Sequence, residues 1–296
     1  MGCGRSGIVR RAFWLPSNAM ARHDDSARSR PDLLARMRAG SDLDLGDHAP
    51  DETFGWEKTE AKSRVGEETA AVAELQKKLY ASSERALLVV LQAMDAGGKD
   101  GVIRSVLTGI NPAGIRVTSF KQPSEVELAH DCLWRVHPAC PARGQIGVFN
   151  RSHYEDVLVV RVKQLVPEPR WRKRYGHIKD FERMLVDEGT AIVKLFLHIS
   201  FEEQRARLQD RIETPDERWK FRRSDLDERK LWPDYMKAYR DALAETSTDD
   251  APWYVVPGDR KWVRNLAVAS ILRDALEQID PKYPEAEEDL EGLVVE

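Results

Sequence analysis

The spacing of apolar residues changes period repeatedly along this chain. Val72, Leu75 and Leu79 recur at helical spacing within Ala70 to Tyr80, which predicts a helix with one buried face. Ala86 to Leu91 follows as an unbroken apolar run, the pattern of a strand buried on both faces of a parallel sheet. Further short β-type runs stand at Ile115 to Phe120, Ile146 to Phe149, Ala191 to Ile199 and Trp253 to Val256, with helical stretches between them. Strands and helices in alternation predict an α/β fold built on a parallel five-stranded sheet.

Two helix starts are written in the sequence. Ser124-x-x-Glu127 after Pro123 and Ser200-x-x-Glu203 both have capping-box form, in which side chains satisfy the first free amides. Beyond the fourth strand, Ser200 to Arg211 and Ser224 to Glu245 read as helices joined by Thr214 to Arg223, a stretch dense in Arg and Lys. This hairpin, about residues 203–230, is the candidate for a mobile lid.

Residues 31–65 mix Pro, Gly and acids with Leu33, Leu34, Met37, Phe54 and Trp56, and read as a lead-in that packs on the domain, regular order beginning near Glu67. Residues 1–30 read as a polar, poorly ordered extension, 31–280 as one domain, and 281–296 as a solvated acidic tail. The opening Met1-Gly2-Cys3-Gly4-Arg5-Ser6 satisfies the short myristoylation pattern, although the plainer reading is an extension with translation starting at Met20.

The chemistry gathers after the first strand. There the apolar run enters Asp95-Ala96-Gly97-Gly98-Lys99-Asp100-Gly101 and then a helical pattern through Val102, Ile103, Val106 and Leu107. Glycines in such a turn let backbone amides converge on phosphate oxygens, and the helix N-terminus adds partial positive charge. Lys99 is then the point charge for the transferring phosphates, and Asp95 the candidate ligand for Mg2+, with Mn2+ as the alternative metal. Measured against Gly-x-x-x-x-Gly-Lys-[Ser/Thr], the segment departs twice, with Ala93 at the first glycine and Asp100 where a metal-binding hydroxyl would sit. The plain alternative, a turn whose glycines merely supply positive φ, leaves Lys99, Asp95, Asp100 and Glu84 unexplained.

The third β run ends in Asn150-Arg151-Ser152-His153-Tyr154-Glu155-Asp156, polar groups at the carboxyl end of a strand, where open α/β sheets bind ligands. Asn150 takes the place of the expected metal-supporting acid, so Glu155 or Asp156 becomes the substitute, with Arg151 facing phosphate. His153 reads as structural rather than as a general base, because loose phosphoryl transfer asks mainly for positioning and charge neutralisation. In the lid candidate, Arg205, Arg207, Arg211, Arg218, Lys220, Arg222 and Arg223 as a set look like a polyanion clamp, Arg207 and Arg211 sharing a helix face; the plain alternative is a solvated helix paired to Glu203, Asp210 and Glu213.

Composition narrows the class. With 42% hydrophobic and 32% charged residues and no apolar run of about 18 residues, no membrane-spanning segment is expected. A net charge of −4 lacks the field of a general nucleic-acid binder, so no nucleic-acid partner is expected despite the basic run Arg170 to Tyr175. Three cysteines without zinc-type spacing fit reduced thiols in the cytoplasm.

Three ordered segments carry a resemblance: Leu88 to Gly101, Phe149 to Val157, and Glu203-Gln204 through Arg207 and Arg211 to Trp219-Lys220-Phe221. In these, the chain resembles the polyphosphate kinase 2 family, over about Leu33 to Leu276. The resemblance implies a three-layer P-loop kinase-like fold with a helical lid. It implies Mg-dependent, reversible transfer of the terminal phosphate of inorganic polyphosphate to AMP or ADP, forming ATP, with GMP and GDP as further acceptors. Asp100 and the nonstandard first glycine are usual for phosphate loops of this family. Asn150-Arg151-Ser152 with Glu155 looks like the third class, whose members phosphorylate both mono- and diphosphates.

Carried over, Asp95 and Lys99 are core loop residues among Ala96, Gly97, Gly98, Asp100 and Gly101. Arg151 is the strand-end arginine beside Glu155; Asp95 and Asn150 stand at the metal; Arg207, Arg211 and Lys220 are lid cations. Lys121 and Arg135 resemble residues lining the polyphosphate path, and a homo-oligomer is expected. The rivals are an ATP-dependent nucleotide kinase and a noncatalytic polyphosphate- or nucleotide-binding protein.

Overall fold

In the computed structural model of the chain, residues 29–286 and 294–295 are described. The myristoylation pattern, nearly all of the expected extension and most of the acidic tail lie outside the described residues. In chain order the helices are α1 (Arg30–Met37), α2 (Lys58–Ser82), α3 (Lys99–Val106), α4 (Glu125–Leu128), α5 (Val159–Val162), α6 (Glu168–Asp187), α7 (Phe201–Glu213), α8 (Ser224–Lys230), α9 (Trp232–Thr246) and α10 (Lys261–Ile279). The strands are β1 (Ala86–Gln92), β2 (Ile115–Ser119), β3 (Ile146–Asn150), β4 (Thr190–His198) and β5 (Trp253–Pro257). They pair in parallel in the order β2-β3-β1-β4-β5.

Three layers follow from the two-residue period of a strand. Leu87, Val89 and Leu91 of β1 face one core with α1, α2, α3 and α10. Leu88 and Val90 face the other with α6 and α9. The central strand is buried along its whole length, which is why it reads as an unbroken apolar run. No helix among the described residues is long and apolar enough to cross a membrane.

Several boundaries differ from the sequence expectation. Helix α2 begins at Lys58, well before Ala70 and Glu67, because its first turns pack Ala61, Glu68 and Thr69 against the domain rather than presenting an apolar stripe. The lead-in does pack, through Leu33, Leu34 and Met37 of α1. Ser224 to Glu245 is not one helix but two, α8 and α9, divided where Pro233 enters the first turn of α9 and cannot continue a helix. The two expected helix starts also part company. Ser124 and Glu127 complete a capping box on α4. At α7, Ser200 caps Glu203, but the Glu203 carboxylate turns to Arg207 (2.7 Å) and the Ser200 amide donates to Asp259 instead (2.8 Å).

Candidate active site at the carboxyl ends of the strands

The chain leaves β1 at Gln92 and turns through Ala93 to Gly98 into α3, so the loop sits at the carboxyl end of the central strand. The Gly97 amide closes the turn on the Met94 carbonyl (3.0 Å), and Ala96 (φ 61°) and Gly98 (φ 94°) take left-handed backbone. A Cβ at Gly97 would meet the Ala93 Cβ at 2.5 Å. The missing side chain at Gly97 therefore leaves room for the alanine that stands where the generic motif has its first glycine. The second departure, Asp100, is also used: Asn150 Nδ2 at the end of β3 donates to Asp100 Oδ1 (2.7 Å).

Lys99 is buried at the first position of α3 and donates to the Ala93 carbonyl (3.0 Å). Burial, with Arg151 adding to it, pushes its ammonium pKa down to about 8 despite Asp95, Glu155 and Asp100 nearby. Arg151, itself left-handed (φ 60°), reaches across from β3 and donates to Asp95 Oδ1 (2.6 Å). Burial raises the pKa of the Glu155 carboxyl, opposed by Arg151 and Lys99. Gln92, oriented with its amide oxygen towards Ser152, donates to Glu155 Oε1 (3.1 Å). Tertiary structure thus joins Asp95, Lys99, Asp100, Asn150, Arg151 and Glu155 in one cluster. Glu84 precedes β1 and lies at the opposite end of the strand, outside that cluster.

The strand after α6 supplies the third side. Following β4, α7 brings Gln204 to the Asp95 carbonyl (3.0 Å) and Arg207 to the Ala96 carbonyl (3.1 Å). Arg207 also donates to the carbonyls of Gly258 (2.6 Å) and Asp259 (3.2 Å), tying the loop after β1 to that after β5. Arg211 lies one turn on, within electrostatic reach of Glu217 and Asp225. Lys220 pairs with Glu217 (2.6 Å) on the short turn after α7 rather than with the loop. Two residues not foreseen from sequence stand here. Asp225 of α8 is buried, and burial followed by the Asp95 charge raises its pKa. Arg264 of α10 is buried against Gly98 and Gly101. Its sequence signal was a lone arginine among Val263, Leu266 and Ala267, an apolar helix face.

Lys121 and Arg135 lie at the same end of the sheet but beside β2, in a groove of about 330 Å³ with Arg116. Arg135 donates to the Lys121 carbonyl (2.8 Å), stacks on Phe120 and approaches Glu127; no hydrogen bond or ion pair joins either cation to the phosphate loop among the described residues. His153 turns inward to Glu182 (3.2 Å), away from the loop. In the basic run 170–175, Trp171 and Tyr175 face the core and Arg174 binds Asp156 (2.7 Å), leaving no aromatic platform for bases.

The family described as polyphosphate kinase 2 (PPK2) matches residues 55–284. This chain belongs to the polyphosphate kinase 2 family. An AMP/ADP-polyphosphate phosphotransferase of Meiothermus ruber is 52% identical over 88% of this chain and 98% of its own length. An ADP-polyphosphate phosphotransferase of Rhodopseudomonas palustris is 46% identical over 84% of this chain and 91% of its own. The crystal structure of polyphosphate kinase 2 from Arthrobacter aurescens TC1 superposes with a TM-score of 0.85 at 42% identity, covering 89% of this chain and 94% of that one. The polyphosphate kinase 2 fold, a P-loop kinase-like one, is therefore the fold observed here.

The donor set can be tested against a divalent metal. Among the described residues no group of three or more His, Cys, Asp or Glu side chains is placed to hold an ion by itself. Mg2+ seldom needs such a cage, being held by one or two carboxylates together with substrate phosphates and water. Asp95, part-exposed with one oxygen on Arg151, fits that use, and Asn150 keeps its amide oxygen free to accept.

Proposed function

We propose that this chain transfers the terminal phosphoryl group of inorganic polyphosphate to AMP and to ADP, reversibly, with GMP and GDP as the guanine counterparts. The observation that carries the reading is the convergence of Lys99, Arg151 and Arg207, from three separate strand ends, on one phosphate loop. The relatives named for polyphosphate with AMP or ADP support the donor and both acceptors.

An oxygen of the acceptor's terminal phosphate attacks the terminal phosphorus of polyphosphate in line. The new P–O bond forms as the bond to the bridging oxygen breaks, leaving polyphosphate one unit shorter. Lys99 and the loop amides hold the transferring group, while Arg151 and the lid arginines Arg207 and Arg211 neutralise its equatorial charge and exclude water. His153 turns to Glu182 rather than to the loop, and the reading, a direct in-line transfer, needs no covalent enzyme intermediate. Mg2+, held by Asp95 with Asn150 beside it, would supply further charge neutralisation on the phosphate oxygens. Lys220 joins the clamp when the lid closes, and Lys121 and Arg135 guide the remainder of the polyphosphate along the β2 groove. The reading takes the enzyme as a cytoplasmic homo-oligomer, the free thiols Cys132 and Cys140 according with a reducing compartment.

The test incubates purified protein with polyphosphate, Mg2+ and either AMP or ADP and follows ADP and ATP. Nucleotide formation absent from a Lys99→Ala control is the expected result. No product above that control sinks the reading, and ATP outperforming polyphosphate as donor replaces it with an ordinary nucleotide kinase.

A further inference from the structure

Arg264 is the most deeply buried arginine near the loop, 3% exposed, and no carboxylate among the described residues pairs with it. Its hydrogen bonds go to the neighbouring Asn265 Oδ1, from Nε (3.2 Å) and Nη2 (2.9 Å). The other guanidinium nitrogen, Nη1, has no acceptor among the described residues and lies 2.0 Å from where a Cβ of Gly98 would be; Nη2 lies 3.2 Å from the corresponding position at Gly101. Arg207 Nη1 approaches the same Gly98 position at 3.5 Å, so two guanidinium groups stand side by side at one loop. Burial, with Arg207 as a second cause, pushes the Arg264 pKa down to about 10. Arg264 also lies near the N-terminal end of α10, and the N-terminus of α3 begins at Gly98, so two helix dipoles add positive potential where a buried cation is already uncompensated. A buried charge without a partner is costly, and here every neighbouring field raises the cost.

We propose that Arg264 is a substrate-binding residue, its free guanidinium edge taking phosphate oxygens of the polyphosphate that lies on the loop. The inference rests on the reading of the site given above and adds a residue and a donor specificity to it. Two adjacent guanidinium groups ask for more than one anionic oxygen, which a chain of linked phosphates offers and which planar forks grip well. Gly98 and Gly101 are then required as the gap through which Arg264 reaches the cradle.

Arg264→Met keeps the length of the stem and removes the charge. With the wild type, it is compared by thermal melting without ligand and by initial rates against polyphosphate and ADP in turn. The ligand-free variant should melt at or above the wild-type temperature, because an unpaired buried charge has gone. Its KM for polyphosphate should rise about 10- to 100-fold, the loss of a charged hydrogen bond, with the KM for ADP little changed. A lower melting temperature with an unchanged KM for polyphosphate overturns the proposal and makes Arg264 a support for the loop. Should Arg264→Met not fold, Arg264→Lys decides: it keeps the charge and loses the fork, so a raised KM for polyphosphate is expected and an unchanged one overturns the proposal. A wild type that transfers phosphate while the variants keep its KM refutes this inference alone. A wild type that transfers nothing refutes the proposed function and this inference with it.

Discussion

Two regions of this molecule bury charge, and they do it in opposite ways. Beneath the sheet, Lys194 of β4 is fully buried and spends its three protons on Glu182 Oε2 (2.6 Å), Tyr154 Oη (3.0 Å) and the Thr246 carbonyl (2.8 Å). Glu182 in turn accepts from Tyr154 (2.9 Å) and contacts His153 (3.2 Å). Burial pushes the Glu182 carboxyl up, but Lys194 and His153 outweigh it and hold it below its ordinary value. At the strand ends, among the described residues, Lys99 has one acceptor, the Ala93 carbonyl, and Arg264 has only Asn265. The first cluster pairs its charges within its own chain, although the buried His153 Nδ1 has no partner among the described residues. The second has cationic capacity left over among the described residues, and the proposed polyphosphate would use it.

The sharpest way to break that contrast is Glu182→Ala. It strands the Lys194 ammonium in the core, and loss of one partner of a buried pair costs about 3–5 kcal/mol. A large fall in denaturant midpoint is expected, with turnover little changed at temperatures where the protein stays folded. Near-wild-type stability would mean that the network beneath the sheet is not the structural one.

Lys99→Ala should give the reverse pattern. Loss of a charge that contacts the transferring phosphate costs about 2–4 kcal/mol of transition-state stabilisation, roughly 30- to 1000-fold in kcat/KM for polyphosphate. The melting temperature of the free protein should hold or rise, since a depressed lysine is a burden on the fold. A variant that loses stability and keeps its rate would place Lys99 with the internally paired cluster.

The smallest expected effect is on pH dependence. With its pKa near 8 in the free protein, Lys99 is charged below that pH and sheds its proton above it. Affinity for polyphosphate should therefore weaken as pH rises through 8, by about tenfold at one unit above the pKa. Stability moves the other way. Between about 8 and the ordinary lysine value near 10.4 the unfolded chain holds a proton that the folded one has lost, so the contribution of Lys99 to stability increases with pH. A KM for polyphosphate that is flat from pH 7 to 9.5 would show that Lys99 does not carry the donor's charge.

The strand-end site was legible in sequence only in part. The Asp95 to Gly101 loop was readable because strand, glycines, lysine and helix are contiguous, and local geometry alone places them. Arg151 and Glu155 were readable from their position after an apolar run. Arg264 and Asp225 were not, because each sits within a helix whose pattern names no function, and only packing brings them to the loop. The fate of the capping boxes shows the same limit: Ser200-x-x-Glu203 matches Ser124-x-x-Glu127 in sequence, yet Arg207 draws Glu203 away from the cap.

By itself, then, the order of residues determined the five strands and the strand-to-helix turn at Asp95 to Gly101, since period, propensity and turn chemistry act over a few neighbouring residues. Which charges meet was decided in three dimensions. Parallel pairing in the order β2-β3-β1-β4-β5 brings all five strand ends to one side of the sheet, and with them side chains more than a hundred residues apart. Whether a buried lysine or arginine is a structural partner or a binding group depends on the acceptors around it. Those acceptors come from elsewhere in the chain, and a linear pattern does not contain them.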